Sequence, residues 1–210
     1  MYFLLVWFRS LFRLENLKAI IGSLKRRILR STYLEMKMVL DNKIIQPLKL
    51  ENNLEIRGYH ESLREDCINL LNSIGSLGLW NRLSFEKRIL DCVEEPEKDI
   101  FILLAGNSVV GFSVIHERSL NDNSAEIGYV AVKPQSRGNQ LGYKLLVYIL
   151  SEMKKRNLSY AYLKTDSFRT PAIKTYLKCG FCPFIRNKNQ KKRWQNVMNK
   201  INISSKNKNT

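Results

Sequence analysis

One stretch constrains this chain more than any other: Ala125-Glu-Ile-Gly-Tyr-Val-Ala-Val-Lys-Pro-Gln-Ser-Arg-Gly-Asn-Gln-Leu-Gly142. It reads as a strand, Ala125–Lys133, stopped by Pro134, then a glycine-bearing loop, then a helix over Gly138–Arg156. Leu141, Leu145, Leu146, Ile149, Leu150 and Met153 recur at helical spacing and give that helix its inner side. A helix that starts directly after such a loop presents unpaired N–H groups and the positive end of its dipole, which together suit a pyrophosphate. Gly138 and Gly142 allow close backbone approach, and Arg137 adds a fixed charge. The geometry alone also suits a nucleotide. A Walker loop, however, needs Gly-Lys-Ser/Thr where Gly142-Tyr143-Lys144 stands, and a dinucleotide fingerprint needs a third glycine.

The surrounding pattern sets the fold class. Leu54–Tyr59 alternates like a half-buried strand. Leu63–Ile74 has helical spacing and ends at Gly75 and Gly78. Ser84 opens a second helix with Phe85, Ile89, Leu90 and Val93 as its stripe, and Pro96 stops it. Strands Ile100–Ala105 and Val109–Glu117 flank a Gly106-Asn107-Ser108 hairpin turn. After Ala125–Lys133 and the long helix come strand Ser159–Thr165 and a short helix opened by Thr170-Pro171 and closed at Gly180, with strand pieces after Phe181. The expectation is an α/β (α+β) domain, a mixed sheet flanked by helices.

Charge separates core from flanks. The net charge is +16, yet residues 54–185 are nearly balanced, with seventeen Lys/Arg against fifteen Asp/Glu. Residues 1–53 carry ten against four and residues 186–210 eight against none. A nucleic-acid-binding core is thereby disfavoured, while the basic flanks stay open to weak contact with a membrane surface or RNA. Residues 1–53 read as a basic amphipathic helix plus linker. The stripe Leu4, Phe8, Leu11, Leu14, Leu17, Ile21, Leu24 and Ile28 suits an anionic membrane surface, a docked helix or a dispensable extension. Residues 186–210 read as a short helix, then disorder beyond about Ile203. The apolar run Met1–Phe8 is far shorter than the roughly 20 residues that cross a bilayer and lacks signal-peptide flanks. The expected location is cytoplasmic, with peripheral membrane contact through the N-terminal helix left open. Four cysteines give no disulfide framework. Cys179 and Cys182 have CxxC spacing, but a helix precedes them and no second pair completes a zinc set, so no metal is expected.

The segment Gln135-Ser-Arg-Gly138-Asn-Gln140, after a strand ending Val-Lys-Pro, resembles the coenzyme A-binding motif of the GNAT superfamily of N-acetyltransferases, Gln/Arg-x-x-Gly-x-Gly/Ala. Gln140 stands where the family has Gly or Ala. Thr165–Phe181 is similar to the carboxy-terminal motif, with Ala172, then Tyr176 four residues on, then Gly180-Phe181; Arg169 replaces the frequent Asn. The resemblance covers residues 54–185. It implies a GNAT-type, mostly antiparallel sheet of six to seven strands, with acetyl-CoA as co-substrate and no metal. It implies direct acetyl transfer in a ternary complex to the amine of a small molecule or peptide. A catalytically silent coenzyme A-binding sensor or scaffold is the alternative.

On that resemblance the two strands Ala125–Lys133 and Ser159–Thr165 splay, and Val130, Ala131 and Val132 offer backbone hydrogen bonds to the pantetheine arm, one N–H serving as oxyanion donor. Arg137, Gly138, Asn139, Gln140, Leu141, Gly142 and Arg169 complete the cofactor set. Tyr176 holds the position of the acid that protonates the leaving thiolate; the alternative is a core tyrosine. Glu126, at period-two spacing from Gly128 and Val130, is a candidate base for the acceptor amine, or else pairs with a cross-strand neighbour. Trp80, Asn81, Arg82 and Phe85 shape the acceptor pocket or cover the core. His60 and His116 read as surface or packing residues.

Overall fold

The computed structural model describes residues 33–41, 45–51, 53–119 and 121–206. The amphipathic stripe Leu4–Ile28 and the last residues, 207–210, lie outside the described residues. The described elements are strands β1 (Tyr33–Val39) and β2 (Leu54–Gly58), helices α1 (Arg64–Ser73), α2 (Arg82–Arg88) and α3 (Pro96–Asp99), and strands β3 (Ile100–Ala105), β4 (Ser108–Ser119) and β5 (Ser124–Val132). Helix α4 (Leu141–Lys155), strand β6 (Tyr160–Asp166), helix α5 (Thr170–Cys179), strand β7 (Cys182–Pro183) and helix α6 (Lys188–Lys206) follow. They build one seven-stranded sheet in the order β2-β3-β4-β5-β6-β1-β7. Every neighbouring pair is antiparallel except β5 and β6, whose parallel pairing the intervening α4 makes sterically simple.

Each face of the sheet has its own core. On one face Leu145, Leu146, Ile149, Leu150 and Met153 of α4 pack with Leu34, Met36, Ile115, Ala125, Ile127 and Leu163. On the other, Cys67, Ile68 and Leu71 of α1 and Phe85 of α2 pack on Ile100, Ile102, Phe112 and Val114. Each such large side chain taken from water stabilises the fold by roughly 1.5–3 kcal/mol. A buried ion pair ties the layers: Arg156 Nη1, just after α4, lies 2.6 Å from Oδ1 of Asp99, which is 1% exposed.

The structure moves several expected boundaries. The stretch read as N-terminal helix and linker contains β1, which pairs with β6 along its whole length, Tyr33↔Asp166 to Val39↔Tyr160. Its buried residues Leu34, Met36, Met38 and Leu40 alternate with Tyr33, Glu35 and Lys37, so the period-two signal was present in a segment read for period 3.6. The strand expected after Phe181 is only Cys182–Pro183, and it pairs with β1 rather than with β6. The C-terminal tail is the helix α6, with Trp194, Val197 and Ile201 buried in the first core. The sheet domain therefore extends beyond residues 54–185 on both sides. The second predicted helix begins at Arg82, capped by a reciprocal Asn81–Ser84 box. It ends at Arg88, because Ile89 leaves helical geometry at φ −127°; Pro96 opens α3 instead of stopping α2.

Candidate active site

The sheet opens where two strands part. β5 and β6 pair from Ser124↔Tyr160 to Ile127↔Leu163 and no further. β5 continues along β4 through Ala131↔Phe112 and Val132↔Gly111, while β6 continues along β1. A bulge sets the divergence. Tyr129 and Val130 together face the single residue Ser113, Tyr129 takes a positive φ of 53°, and the Ser113 hydroxyl donates to the Gly128 carbonyl at 3.0 Å. Gly128 has no room for a Cβ, because the His116 imidazole rests against it.

The wedge between the strands leads into a cavity of about 570 Å³, a size that suits a cofactor. Val130, Ala131 and Val132 line one wall, and Pro171, Ala172 and Tyr176 of α5 line the other. Beyond Ile127 the edge of β5 that turns toward β6 has no ladder partner among the described residues, which leaves backbone groups of that edge for a ligand. The loop at the mouth is a 3-10 turn at Pro134–Ser136, then Gly138 at φ +94° and Gln140 at φ +56°. The helix expected from Gly138 therefore begins at Leu141, since two left-handed residues cannot continue a right-handed helix. No side chain caps its N-terminus, so its first amides, at Leu141 and Gly142 on the cavity wall, carry the partial positive charge of the dipole. Arg137 also lines the cavity, with Nε 3.4 Å from the Val132 carbonyl.

Tyr176 is 7% exposed and packs edge-on against Phe181 at 6.3 Å between ring centroids. Burial pushes its phenol up to about 12, against a smaller opposing effect of the Arg169 charge, so it stays protonated at neutral pH. The neighbouring Cys179 thiol is pushed up to about 12 by the same desolvation. Arg169 reaches the cavity, but its guanidinium is engaged: Nε donates to Asp166 Oδ2 at 2.9 Å and Nη2 to the Ser76 carbonyl at 2.8 Å. It straps the α5 side of the cleft to the α1–α2 connection.

Two expected site residues stand elsewhere. Asn139 is exposed and off the cavity wall. Glu126 forms an ion pair with Lys164 at 2.5 Å and lines a second cavity of about 400 Å³ with Glu35, Asp122 and Tyr162. The period-two relation between Glu126 and Val130 fails because the bulge inserts a residue. Ala125, Ile127 and Val130 all meet the α4 core, so Glu126 faces the opposite side of the sheet from Val130. Trp80 and Phe85 are core residues, Asn81 is a helix cap and Arg82 pairs with Glu65. His60 hydrogen-bonds to Ser62 at the surface. The cavity also takes in Tyr143, Phe168 and Lys178, none of them anticipated; Lys178 follows Pro171 by seven residues and Thr175 by three on α5, and a helical projection from those two lining residues would have found it.

The sequence profile of the acetyltransferase (GNAT) family matches residues 61–181, more than half of the chain. The chain belongs to this family. Solved structures agree in fold. An N-acetyltransferase related to GCN5 from Sphaerobacter thermophilus superposes with a TM-score of 0.61 at 17% identity, over 78% of this chain and 53% of that one. The ribosomal-protein-S18-alanine N-acetyltransferase of Escherichia coli gives 0.54 at 19%, over 63% and 79%. Arabidopsis thaliana Naa50, in complex with the bisubstrate analogue CoA-Ac-MVNAL, gives 0.52 at 20%, over 64% and 85%. The matched region thus spans about half the length of the Sphaerobacter protein. No match was found among curated proteins. Among the described residues no helix is long and apolar enough to cross a membrane, and no cluster of His, Cys, Asp or Glu has the make-up of a metal site.

Proposed function

We propose that this GNAT protein transfers the acetyl group of acetyl-CoA to a primary amine of a small molecule or peptide. The observation that carries the reading is the open strand pair that leads from an uncapped helix N-terminus to a buried, protonated tyrosine. The diphosphate lies against the first amides of α4, beside Arg137. The pantetheine arm takes the vacant edge of β5, and a backbone N–H of Val130–Val132 polarises the thioester carbonyl. Peptide amines enter the proposal because two of the similar structures are named for a peptide analogue or a protein substrate.

In the transfer, the neutral amine nitrogen attacks the carbonyl carbon, an N–C bond forms, the C–S bond breaks, and the electron pair leaves on sulfur. Tyr176 gives its proton to that thiolate, the acylated nitrogen releases its extra proton to solvent to leave a neutral amide, and the tyrosine regains a proton from solvent. An amine acceptor with an ordinary pKa of about 10.4 arrives as an ammonium. We assign its proton to Glu126, in the second cavity, which opens on the sheet face opposite Val130. The incoming ammonium replaces the Lys164 ammonium at this carboxylate.

The test is thiol release from acetyl-CoA by the purified full chain against a panel of amines and N-terminal peptides, with Tyr176→Phe beside the wild type. Turnover that depends on both an amine and Tyr176 supports the proposal. Saturable acetyl-CoA binding without turnover of any amine, unchanged in Tyr176→Phe, identifies a silent coenzyme A-binding module instead.

A further inference from the structure

Gln140, the residue that departs from the family pattern, makes a contact unavailable to glycine or alanine. Its Oε1 accepts a hydrogen bond from Lys178 Nζ at 2.9 Å. Lys178 projects from α5, on the opposite side of the donor cleft from the loop that carries Gln140. Its ammonium also lies 4.3 Å from the centroid of the Tyr143 ring in the first turn of α4, a distance at which the ring's negative face attracts it. Gln140, Tyr143 and Lys178 all line the cleft. Among the described residues Lys178 has no carboxylate within ion-pair distance. Two neutral groups therefore aim a full positive charge across the cleft mouth, and no carboxylate among the described residues neutralises it. Gln140 does this from a left-handed backbone position, φ +56°, which a side chain seldom occupies without a compensating contact.

We propose that Lys178 is a donor-binding residue that pairs with the diphosphate of coenzyme A, and that Gln140 positions it. This rests on the acetyl-CoA reading above. The diphosphate is preferred to the 3′-phosphate because the group that holds Lys178 belongs to the same loop as Gly138 and immediately precedes the amides of α4. One wall of the phosphate site is thus backbone and dipole, and the other is a side-chain cation supplied by α5.

The experiment measures dissociation constants of the full chain for CoA, dephospho-CoA, which lacks the 3′-phosphate, and acetyl-pantetheine, which lacks the diphosphate. Wild type, Lys178→Met, Lys178→Arg and Gln140→Gly are compared. Lys178→Met is expected to weaken CoA and dephospho-CoA alike by roughly tenfold, the size of one charged hydrogen bond, and to leave acetyl-pantetheine unchanged. Lys178→Arg recovers most of the loss. Gln140→Gly loses a few-fold by itself and nothing further in the Lys178→Met background. Unchanged CoA affinity in Lys178→Met overturns the proposal. A loss confined to CoA overturns it in favour of the 3′-phosphate, and an equal loss for acetyl-pantetheine shows a purely structural lysine. Wild-type protein that binds none of the three overturns the donor assignment as well.

Discussion

Replacing Tyr176 by phenylalanine separates packing from chemistry, because the two depend on different atoms. The ring provides the burial and the edge-on contact with Phe181 at 6.3 Å, and phenylalanine keeps both. Stability should change by no more than ~1 kcal/mol, or about 2–4 °C in melting temperature for a chain of this size. The hydroxyl, held protonated by a pKa pushed up to about 12, is the part the proposed reaction uses. Losing a positioned acid costs about 10²–10⁴ in rate, or ~2.7–5.4 kcal/mol of barrier. The assay is kcat for thiol release at saturating acetyl-CoA, with CoA affinity and a thermal melt on the same samples. A roughly hundredfold or larger fall in kcat, with CoA affinity within about twofold and a melt shifted by no more than about 4 °C, is the expected pattern. A kcat within twofold of wild type would refute the acid role and return Tyr176 to the core.

Trp194→Ala tests the docking of α6. The side chain is 2% exposed in the first core, so its loss should cost ~3–5 kcal/mol and lower the melting temperature by about 6–20 °C; a shift under about 2 °C would mean that the helix does not pack there. Alkaline titration tests the buried acids. The Cys67 thiol is pushed up to about 12 by burial, reinforced by Asp66, and Tyr176 by burial to about the same value. In the unfolded chain these groups release protons near 8.5 and 10. Above about pH 9 unfolding therefore releases protons, and stability falls as pH rises toward 12. Melting temperatures should be flat near pH 7 and decline as pH rises past about 8.5, and Cys67→Ala, which leaves the raised Cys179 thiol in place, should make the decline shallower without removing it; a flat profile to about pH 11 would contradict the burial.

Most of the cleft between β5 and β6 was legible because its signals are local. A strand, a proline stop, glycines and an apolar stripe occupy consecutive positions, and Arg137 and Gly138 line the cavity that these elements frame. What was not legible depends on pairing between distant segments. The alternation of Leu34, Met36, Met38 and Leu40 is plain, yet nothing local tells a reader that the partner is β6, more than a hundred residues away. The bulge at Tyr129 has no strong sequence mark, and one inserted residue was enough to turn Glu126 away from Val130. The Gln140–Lys178 bond joins the loop before α4 to α5 through side chains alone, and only the folded geometry brings them together. α6 was underestimated because its many Lys and Asn residues mask a sparse buried stripe, Trp194, Val197 and Ile201.

Titrating acetyl-CoA into the purified chain, at low and at high salt, tests the donor cleft most directly. Saturable one-to-one binding that weakens as salt screens the phosphates is the predicted result. No binding at any salt concentration, from a chain that melts cooperatively, would contradict it.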